Sequence, residues 1–178
     1  GGLGLEVLGE CLVYEELSKV NACFRTRIGT NNGIGSQGIV IDGTPEQKQT
    51  YLPRLASGEW IGVFALTEPE AGSDAANIQT TARQEGDTWI LNGRKHFITN
   101  GDIADVATVF ALTDKEKRAK GGITGFLVEK SYPGFFVGAI ERKMGMRGSH
   151  TCELIFDDCQ VPPENVIGGP DMVGQGFK

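Results

Sequence analysis

Apolar residues recur near helical spacing at the start of the chain. Leu5, Leu8, Leu12, Leu17 and Val20 alternate with Glu6, Glu10, Glu15, Glu16 and Lys19, a pattern that predicts an amphipathic helix. Asn31-Asn32-Gly33 and Gly35 weaken the next helix, because an interior glycine costs up to ~1 kcal/mol relative to alanine. Thr44-Pro45-Glu46-Gln47 then predicts a sharp helix start. Thr44 can cap, Pro45 suits the first turn, and Gln47 stands where a capping box places Glu or Gln. Gly58, after Leu55-Ala56-Ser57, ends that helix.

At Trp60 the period changes. Ile61-Gly62-Val63-Phe64-Ala65-Leu66 is a short apolar run suited to a buried strand. Thr88 to Leu91 and Arg94 to Thr99 flank Asn92-Gly93, which predicts a two-residue hairpin turn with positive φ angles. Val106 to Leu112, Ile123 to Glu129, Phe135 to Ala139 and Glu153 to Phe156 continue the series of short strands. Asp114 to Lys120 carries six charges in seven residues and reads as a solvated loop. Helices first and strands afterwards give an α+β class: a helical segment over 1–59 and a β-barrel or sandwich over 60–168. Gly168-Gly169-Pro170 reads as a linker, and 169–178 as the start of a further unit.

Composition narrows the class. With 39% hydrophobic and 22% charged residues among 178, the chain can bury a core. Its 26 glycines follow no period and its prolines number only 7, which excludes collagen-like and low-complexity chains. The longest apolar runs fall far short of the roughly 18 residues of a membrane span. A net charge of −6 argues against a general nucleic-acid binder. Cys11, Cys23, Cys152 and Cys159 form no CxxC pair, and with only His96 and His150 no zinc spacing exists. Reduced thiols in a cytosolic or mitochondrial compartment are the expectation. The opening Gly1 to Leu5 has neither an initiator Met nor a basic n-region, so the chain reads as a fragment without a signal peptide.

Two segments offer chemistry. Leu66-Thr67-Glu68-Pro69-Glu70-Ala71-Gly72-Ser73-Asp74 directly follows a strand. Its Pro69 and Gly72 force a turn, Gly72 admits close backbone approach, and Thr67 and Ser73 carry hydroxyls. Such a loop can present donors to a phosphate or a flavin edge; equally, it is a turn that satisfies its own backbone. Phe97-Ile98-Thr99-Asn100-Gly101 ends a strand, and period-2 geometry puts Phe97 and Thr99 on one face. Alone, it reads as a strand end packing Phe97 into the core. His96, His150 and the basic trio Arg142, Lys143 and Arg147 have ordinary surface readings, and Cys152 and Cys159 read as packed thiols beside a strand.

Together and in this order, the segments are more specific. Leu66-Thr67-Glu68-Pro69-x-Ala71-Gly72-Ser73-Asp74, Asn92-Gly93-x-Lys95 and Ile98-Thr99-Asn100-Gly101 resemble the acyl-CoA dehydrogenase family. Met144-Gly145-Met146-Arg147-Gly148-Ser149, Thr151, Phe156-Asp157-Asp158 and Val161-Pro162-x-Glu164-Asn165 match a third signature of that family. Gln47-Lys48, Tyr51-Leu52-Pro53 and Gly58-Glu59 fit the segment before its β domain. The resemblance spans essentially the whole chain, and 145–156 looks nearest the isovaleryl-CoA dehydrogenases.

This resemblance implies an enzyme with FAD as cofactor, an N-terminal helical domain, a β-barrel middle domain, and a C-terminal helical bundle absent from this sequence. Phe64, Leu66, Thr67, Gly72 and Ser73 would line the flavin and its phosphates, with Ser73 also reaching the acyl-CoA substrate. Phe97, Ile98 and Thr99 would meet the isoalloxazine ring, Thr99 donating toward N5. Phe97 departs from the tryptophan common in the family; it keeps an apolar face and loses the indole N–H donor. Lys120 lies where some relatives contact CoA, although one more charge in a solvated run is an equal reading. The family's reaction removes the α proton of the thioester with a Glu and passes hydride from Cβ to flavin, giving the 2,3-enoyl-CoA. That Glu belongs to the absent bundle; Glu68, Glu70 and Glu141 do not substitute for it.

The resemblance further implies an electron-transfer flavoprotein as acceptor, a homotetramer or homodimer, and a cytoplasmic location in a bacterium or the mitochondrial matrix in a eukaryote. Two other readings stay open: an acyl-CoA oxidase or flavin monooxygenase on the same framework, and a non-catalytic β-barrel module that binds a ligand.

Overall fold

A computed structural model describes residues 4–177. Four helices come first: α1 (Val7–Val20), α2 (Ala22–Asn32), α3 (Ile34–Asp42) and α4 (Pro45–Ser57). The expected start of α4 is formed in full. Thr44 Oγ1 accepts from the Gln47 N–H at 3.2 Å and Gln47 Oε1 accepts from the Thr44 N–H at 3.0 Å, while Gly58 closes the helix with φ +76°. The apolar stripe of α1 forms on a helix as predicted but buries no residue; Leu8, Leu12 and Val20 are exposed.

Seven strands follow: β1 (Gly62–Ala65), β2 (Thr81–Glu85), β3 (Thr88–Thr99), β4 (Val106–Leu112), β5 (Ile123–Glu129), β6 (Phe135–Ile140) and β7 (Thr151–Val161). They build one sheet in the order β1-β4-β2-β3-β7-β6, with β5 antiparallel to β4. A single buried cluster takes in Val63 of β1, Val109 of β4, Phe126 of β5, Leu154 of β7 and Phe135 of β6. A sheet whose distant strands share one core must curl around it. Its terminal strands β1 and β6 do not pair, so the expected barrel is an open half-barrel.

The Asn92-Gly93 hairpin does not form. Residues 88–99 are one continuous strand, and the turn lies between β2 and β3, where Gly86 has φ +59°. At Asn92-Gly93 the pairing of β3 with β7 shifts register instead, a bulge. Asn92 spends its amide across that bulge: Nδ2 donates to Asp158 Oδ1 at 2.9 Å, and Oδ1 accepts from the Asp158 N–H at 2.9 Å. Gly93 is there because the chain passes close by; a Cβ would stand 2.7 Å from Thr80 Cα. Cys152 and Cys159 lie within β7, both fully buried, rather than beside it.

The helices dock on the half-barrel through backbone contact and buried amides. A Cβ on Gly35 would come within 2.3 Å of the Gly62 carbonyl oxygen, so α3 and β1 touch main chain to main chain. Buried Asn31 donates to the Leu55 carbonyl at 3.0 Å and accepts from the Gly62 N–H at 2.7 Å. Ile39, Tyr51, Leu55, Val106 and Leu127 fill the space between helices and sheet. After β7 the chain runs back along β5: the Ile167 N–H donates to Gly125 and the Gly176 N–H to Ile123. No helix among the described residues is long and apolar enough to cross a membrane.

Candidate functional site

The first segment singled out in the sequence follows β1 and meets β3 at Lys95 and His96, immediately before the second. Just beyond β1, the loop folds back on itself, with the Glu68 N–H donating to the Ala71 carbonyl at 3.0 Å and the Ala71 N–H to the Glu68 carbonyl at 3.1 Å. It is then pinned to β3. The His96 N–H donates to the Thr67 carbonyl at 2.8 Å, and Lys95 Nζ donates to the Leu66 carbonyl at 3.1 Å.

The pin is a buried ion pair. Lys95 Nζ stands 2.7 Å from Glu68 Oε1, with side chains 0% and 3% exposed. Glu68 also accepts from the main-chain N–H groups of Gln79 and Thr80, so both its oxygens are used. Burial works to raise the Glu68 pKa, but the Lys95 charge and these hydrogen bonds together hold it below the usual carboxylate range. Burial pushes Lys95 down to about 8, with Glu68 opposing; both groups remain charged at neutral pH. A charge pair this dry gains little over an apolar pair, yet losing one partner costs about 3–5 kcal/mol. Its consequence is geometric: loop 66–71, strand β3 and residues 79–80 form one rigid frame. The Asn92-Gly93-x-Lys95 motif does not by itself disclose the partner of Lys95. The alternation from Leu91 through Gly93 to Lys95 is the signal that an inward lysine needs an inward acid.

A second bulge lies at His96-Phe97, where the β3–β7 register slips between Lys95 and Ile98. Phe97 takes φ +57°, a left-handed conformation costly for a bulky side chain. The slip turns both Lys95 and Ile98 inward and leaves the Phe97 ring 59% exposed. Ile98 is buried in the main core, so only its main chain faces outward. Thr99 is half-buried at the end of the strand. Gly101 is a packing glycine: a Cβ there would lie 2.6 Å from Cys152 Sγ.

On the other side of the loop, Phe64 stacks at a tilt on Phe110 with ring centroids 5.3 Å apart, and Leu66 packs with Ala71, Ile78 and Leu112. Gly72 and Ser73 are exposed, with nothing within 4 Å of where a Gly72 Cβ would stand. Lys120 is exposed beside a recess of 380 Å³ that Asp74, Asn77, Lys117 and Arg118 also line. Arg118 fixes that recess, donating to Asn77 Oδ1 at 2.8 Å and to the Ile78 carbonyl at 3.2 Å. The charged run is thus folded onto the end of loop 66–74, a contact that its composition conceals. His150 pairs with Asp102 at 2.6 Å, and Lys143 donates to the Ser149 carbonyl. No group of His, Cys, Asp or Glu suited to hold a metal exists among the described residues.

The donor set suits a flavin. Thr67 and Thr99 are half-buried and Ser73 is exposed, so none of these three hydroxyl-bearing residues is sealed in the core. The Gly72 main chain is unobstructed, and the Phe97 ring is exposed. Hydroxyls and an open glycine main chain are the kind of donors that polar flavin and phosphate edges require, and aromatic rings are the kind of surface that suits a planar ring system.

Two family models match the chain: the acyl-CoA dehydrogenase N-terminal domain over residues 1–59 and the acyl-CoA dehydrogenase middle domain over 63–159. It is 46% identical over 169 residues to a mitochondrial isovaleryl-CoA dehydrogenase of Pongo abelii, covering 94% of this chain and 40% of that protein. The structure of a butyryl-CoA dehydrogenase from Megasphaera elsdenii superposes with a TM-score of 0.92 at 44% identity, covering 98% of this chain and 45% of that one. An acyl-CoA dehydrogenase complexed with FAD from Bacillus anthracis superposes with a TM-score of 0.88 at 41% identity, covering 99% and 29%. The chain spans about half the length of the curated relatives it matches. By its helical segment, its half-barrel and the two family models, the chain belongs to the acyl-CoA dehydrogenase family.

Proposed function

We propose that this chain supplies the flavin-facing half of an FAD-dependent enzyme that oxidises an acyl-CoA thioester to its 2,3-enoyl-CoA. The observation that carries this reading is the pinning of loop 66–71 to β3 by the buried Lys95–Glu68 pair, directly beside the His96-Phe97 bulge. When bound, FAD supplies the two-electron acceptor that no side chain can provide.

The chain's residues bind and orient. Thr67, Ser73 and the Gly72 main chain hold the polar edge and phosphates, and Phe64, Leu66 and Phe97 shield the ring system from water. The Ile98 main chain and the Thr99 hydroxyl complete the contact. Thr99 would donate toward flavin N5, where a fixed donor would stabilise the charge that builds up as the substrate is oxidised. Ser73 and Lys120 receive the acyl-CoA, with the recess beside Lys117 and Arg118 adding positive charge for an anionic group. The base that takes the α proton is assigned to a third, helical unit outside these residues, because residues 167–176 pack along β5 of the half-barrel. The acceptor is an electron-transfer flavoprotein, and the assembly is a homotetramer or homodimer.

The full-length protein carrying this sequence is expected to purify yellow or to become so with added FAD. Its flavin absorbance should bleach anaerobically on adding a short or branched acyl-CoA. A full-length preparation that takes up no FAD, or whose flavin no acyl-CoA reduces, would sink the proposal. Peroxide formed at the rate of substrate turnover in air would move it to the oxidases.

A further inference from the structure

Basic residues crowd the loop between β4 and β5, and one of them is placed unlike the rest. Lys115, Lys117 and Lys120 are exposed, whereas Arg118 is half-buried. Its backbone stands at φ +47°, a left-handed conformation that a long side chain adopts at a cost. The turn around it is closed from within. Asp114 Oδ1 accepts from the N–H groups of Glu116 and Lys117 at 3.0 and 3.1 Å, and the Arg118 N–H donates to the Asp114 carbonyl at 3.1 Å. Gly122 completes the turn where no side chain fits, since a Cβ there would collide with the Asp114 carbonyl oxygen.

What the guanidinium touches accounts for the strained turn. Nη2 donates to Asn77 Oδ1 at 2.8 Å and to the Ile78 carbonyl at 3.2 Å. Gln79 Nε2 donates to the same Asn77 oxygen at 3.3 Å and to the Asn77 carbonyl at 2.7 Å. The main-chain N–H groups of Gln79 and Thr80 end on Glu68, the partner of buried Lys95. A run of hydrogen bonds through Glu68, Gln79 and Asn77 thus leads from the rigid frame under β3 to Arg118. Beyond it lies the recess, with Asp74 and Asn77 on one side and the charged loop on the other. Lys117 faces Asp114 at 3.2 Å, and Lys120, two residues past Arg118, is exposed at the recess.

We propose that Arg118 is a positioning residue for the nucleotide end of the acyl-CoA: it folds loop 114–120 onto Asn77 and Ile78 and so holds Lys120 at the recess. This rests on the acyl-CoA reading given above, to which it adds a residue that acts through another. The substrate's chemistry divides it in two. Its acyl group and pantetheine arm are uncharged, and every phosphate lies at the nucleotide end. A loop that carries cations therefore meets that end. Asp74 and Glu116 line the same recess and offset part of its positive charge, so the placement of Lys120 decides whether a phosphate is met. A contact so far from the reacting carbons is made equally before and during oxidation, and it shows in KM rather than in kcat.

The test compares two substrates of the full-length, FAD-loaded protein: an acyl-CoA and the matching acyl-pantetheine thioester, which lacks the nucleotide and its phosphates. Arg118→Met keeps a long side chain without the donors. It is expected to raise KM for the acyl-CoA about tenfold, with kcat held within about twofold and KM for the acyl-pantetheine unmoved. Asn77→Ala removes the acceptor and no charge. It should raise KM for the acyl-CoA in the same way, and the double variant should be no worse than the worse single one. Asn77→Ala also carries the test should Arg118→Met fail to fold. A wild-type KM in Asn77→Ala means that Arg118 does not act through Asn77, and overturns the proposal. So does an equal rise in KM for both substrates, or a fall in kcat alongside it, which is what general loosening gives. Either result leaves the acyl-CoA reading intact. A full-length protein that oxidises neither thioester overturns both.

Discussion

At the scale of single residues, most of the site's character comes from atoms that the fold forces into unusual surroundings. Lys95 is the clearest case, a lysine with no exposed side-chain surface whose charge is answered by Glu68. Glu68→Gln leaves that lysine buried without a counter-charge, and is expected to cost about 3–5 kcal/mol in chemical denaturation of the full-length protein. The pH dependence has a definite sign. The Glu68 pKa is lower folded than unfolded, so its stabilisation is complete above the ordinary glutamate value and drains away as pH falls through the folded one. Thermal midpoints measured below about pH 4.5 should therefore fall less steeply in Glu68→Gln than in the wild type. Thr99→Val tests a different thing. It removes a hydroxyl from a half-buried residue at the end of β3, so folding should be nearly unchanged while flavin reduction by acyl-CoA slows by about 10²-fold, the usual effect of deleting one such donor. Equal reduction rates in stopped flow would take Thr99 out of the mechanism.

At the scale of elements, the two bulges of β3 account for the site's shape. Each is a place where local pattern and tertiary pairing disagree. Asn-Gly between two apolar runs is a strong hairpin signal, but the same dipeptide serves a bulge when a third strand lies alongside. Here β7 offers Asp158 to the Asn92 amide, and Thr80 leaves no room for a side chain at position 93. Gly93→Ala is expected to destabilise by about 1–3 kcal/mol, because the obstacle is main chain that cannot swing away. A Gly93→Ala protein with wild-type unfolding behaviour would show that the bulge relaxes. The helix starts and stops around Thr44 and Gly58 were legible because capping is a local matter of four or five residues. The extra residue in a bulge is not, since it depends on a partner strand some sixty residues away in sequence.

At the scale of the whole molecule, helices and half-barrel are joined by a few buried polar side chains. Gln47 is the most heavily used: it caps α4, donates to the carbonyls of Glu164 and Val166 at 2.8 and 2.7 Å, and accepts from the Gly168 N–H at 3.1 Å. Nearby, Asn165 donates to the Leu127 carbonyl at 2.7 Å and to the hydroxyls of Tyr51 and Tyr132 at 2.9 and 3.0 Å. Gln47→Ala strands several buried main-chain groups at once, for an expected loss of about 2–4 kcal/mol. Hydrogen exchange should report that loss first in α4 and residues 163–168; uniform loosening of the half-barrel instead would show that the glutamine does not join these parts. The sequence placed Gln47 in a capping box, and its side chain does make that box. What it could not display is the second use of the same amide, more than a hundred residues downstream.

The sequence by itself determined what depends on neighbours along the chain: helices before strands, the capping of α4, the apolar runs of the core, and the two ordered motifs that mark the family. Only the tertiary structure decided that Asn92-Gly93 is a bulge and that the barrel stays open. It also turned Lys95 onto Glu68, folded Lys117, Arg118 and Lys120 beside the end of loop 66–74, and set His96 between Glu141 and Glu153. The physical reason is the same in each case. Backbone preference and capping are paid within a turn, whereas burying a charge, closing on a glycine or slipping a strand register is settled by whichever distant segment arrives to share the space.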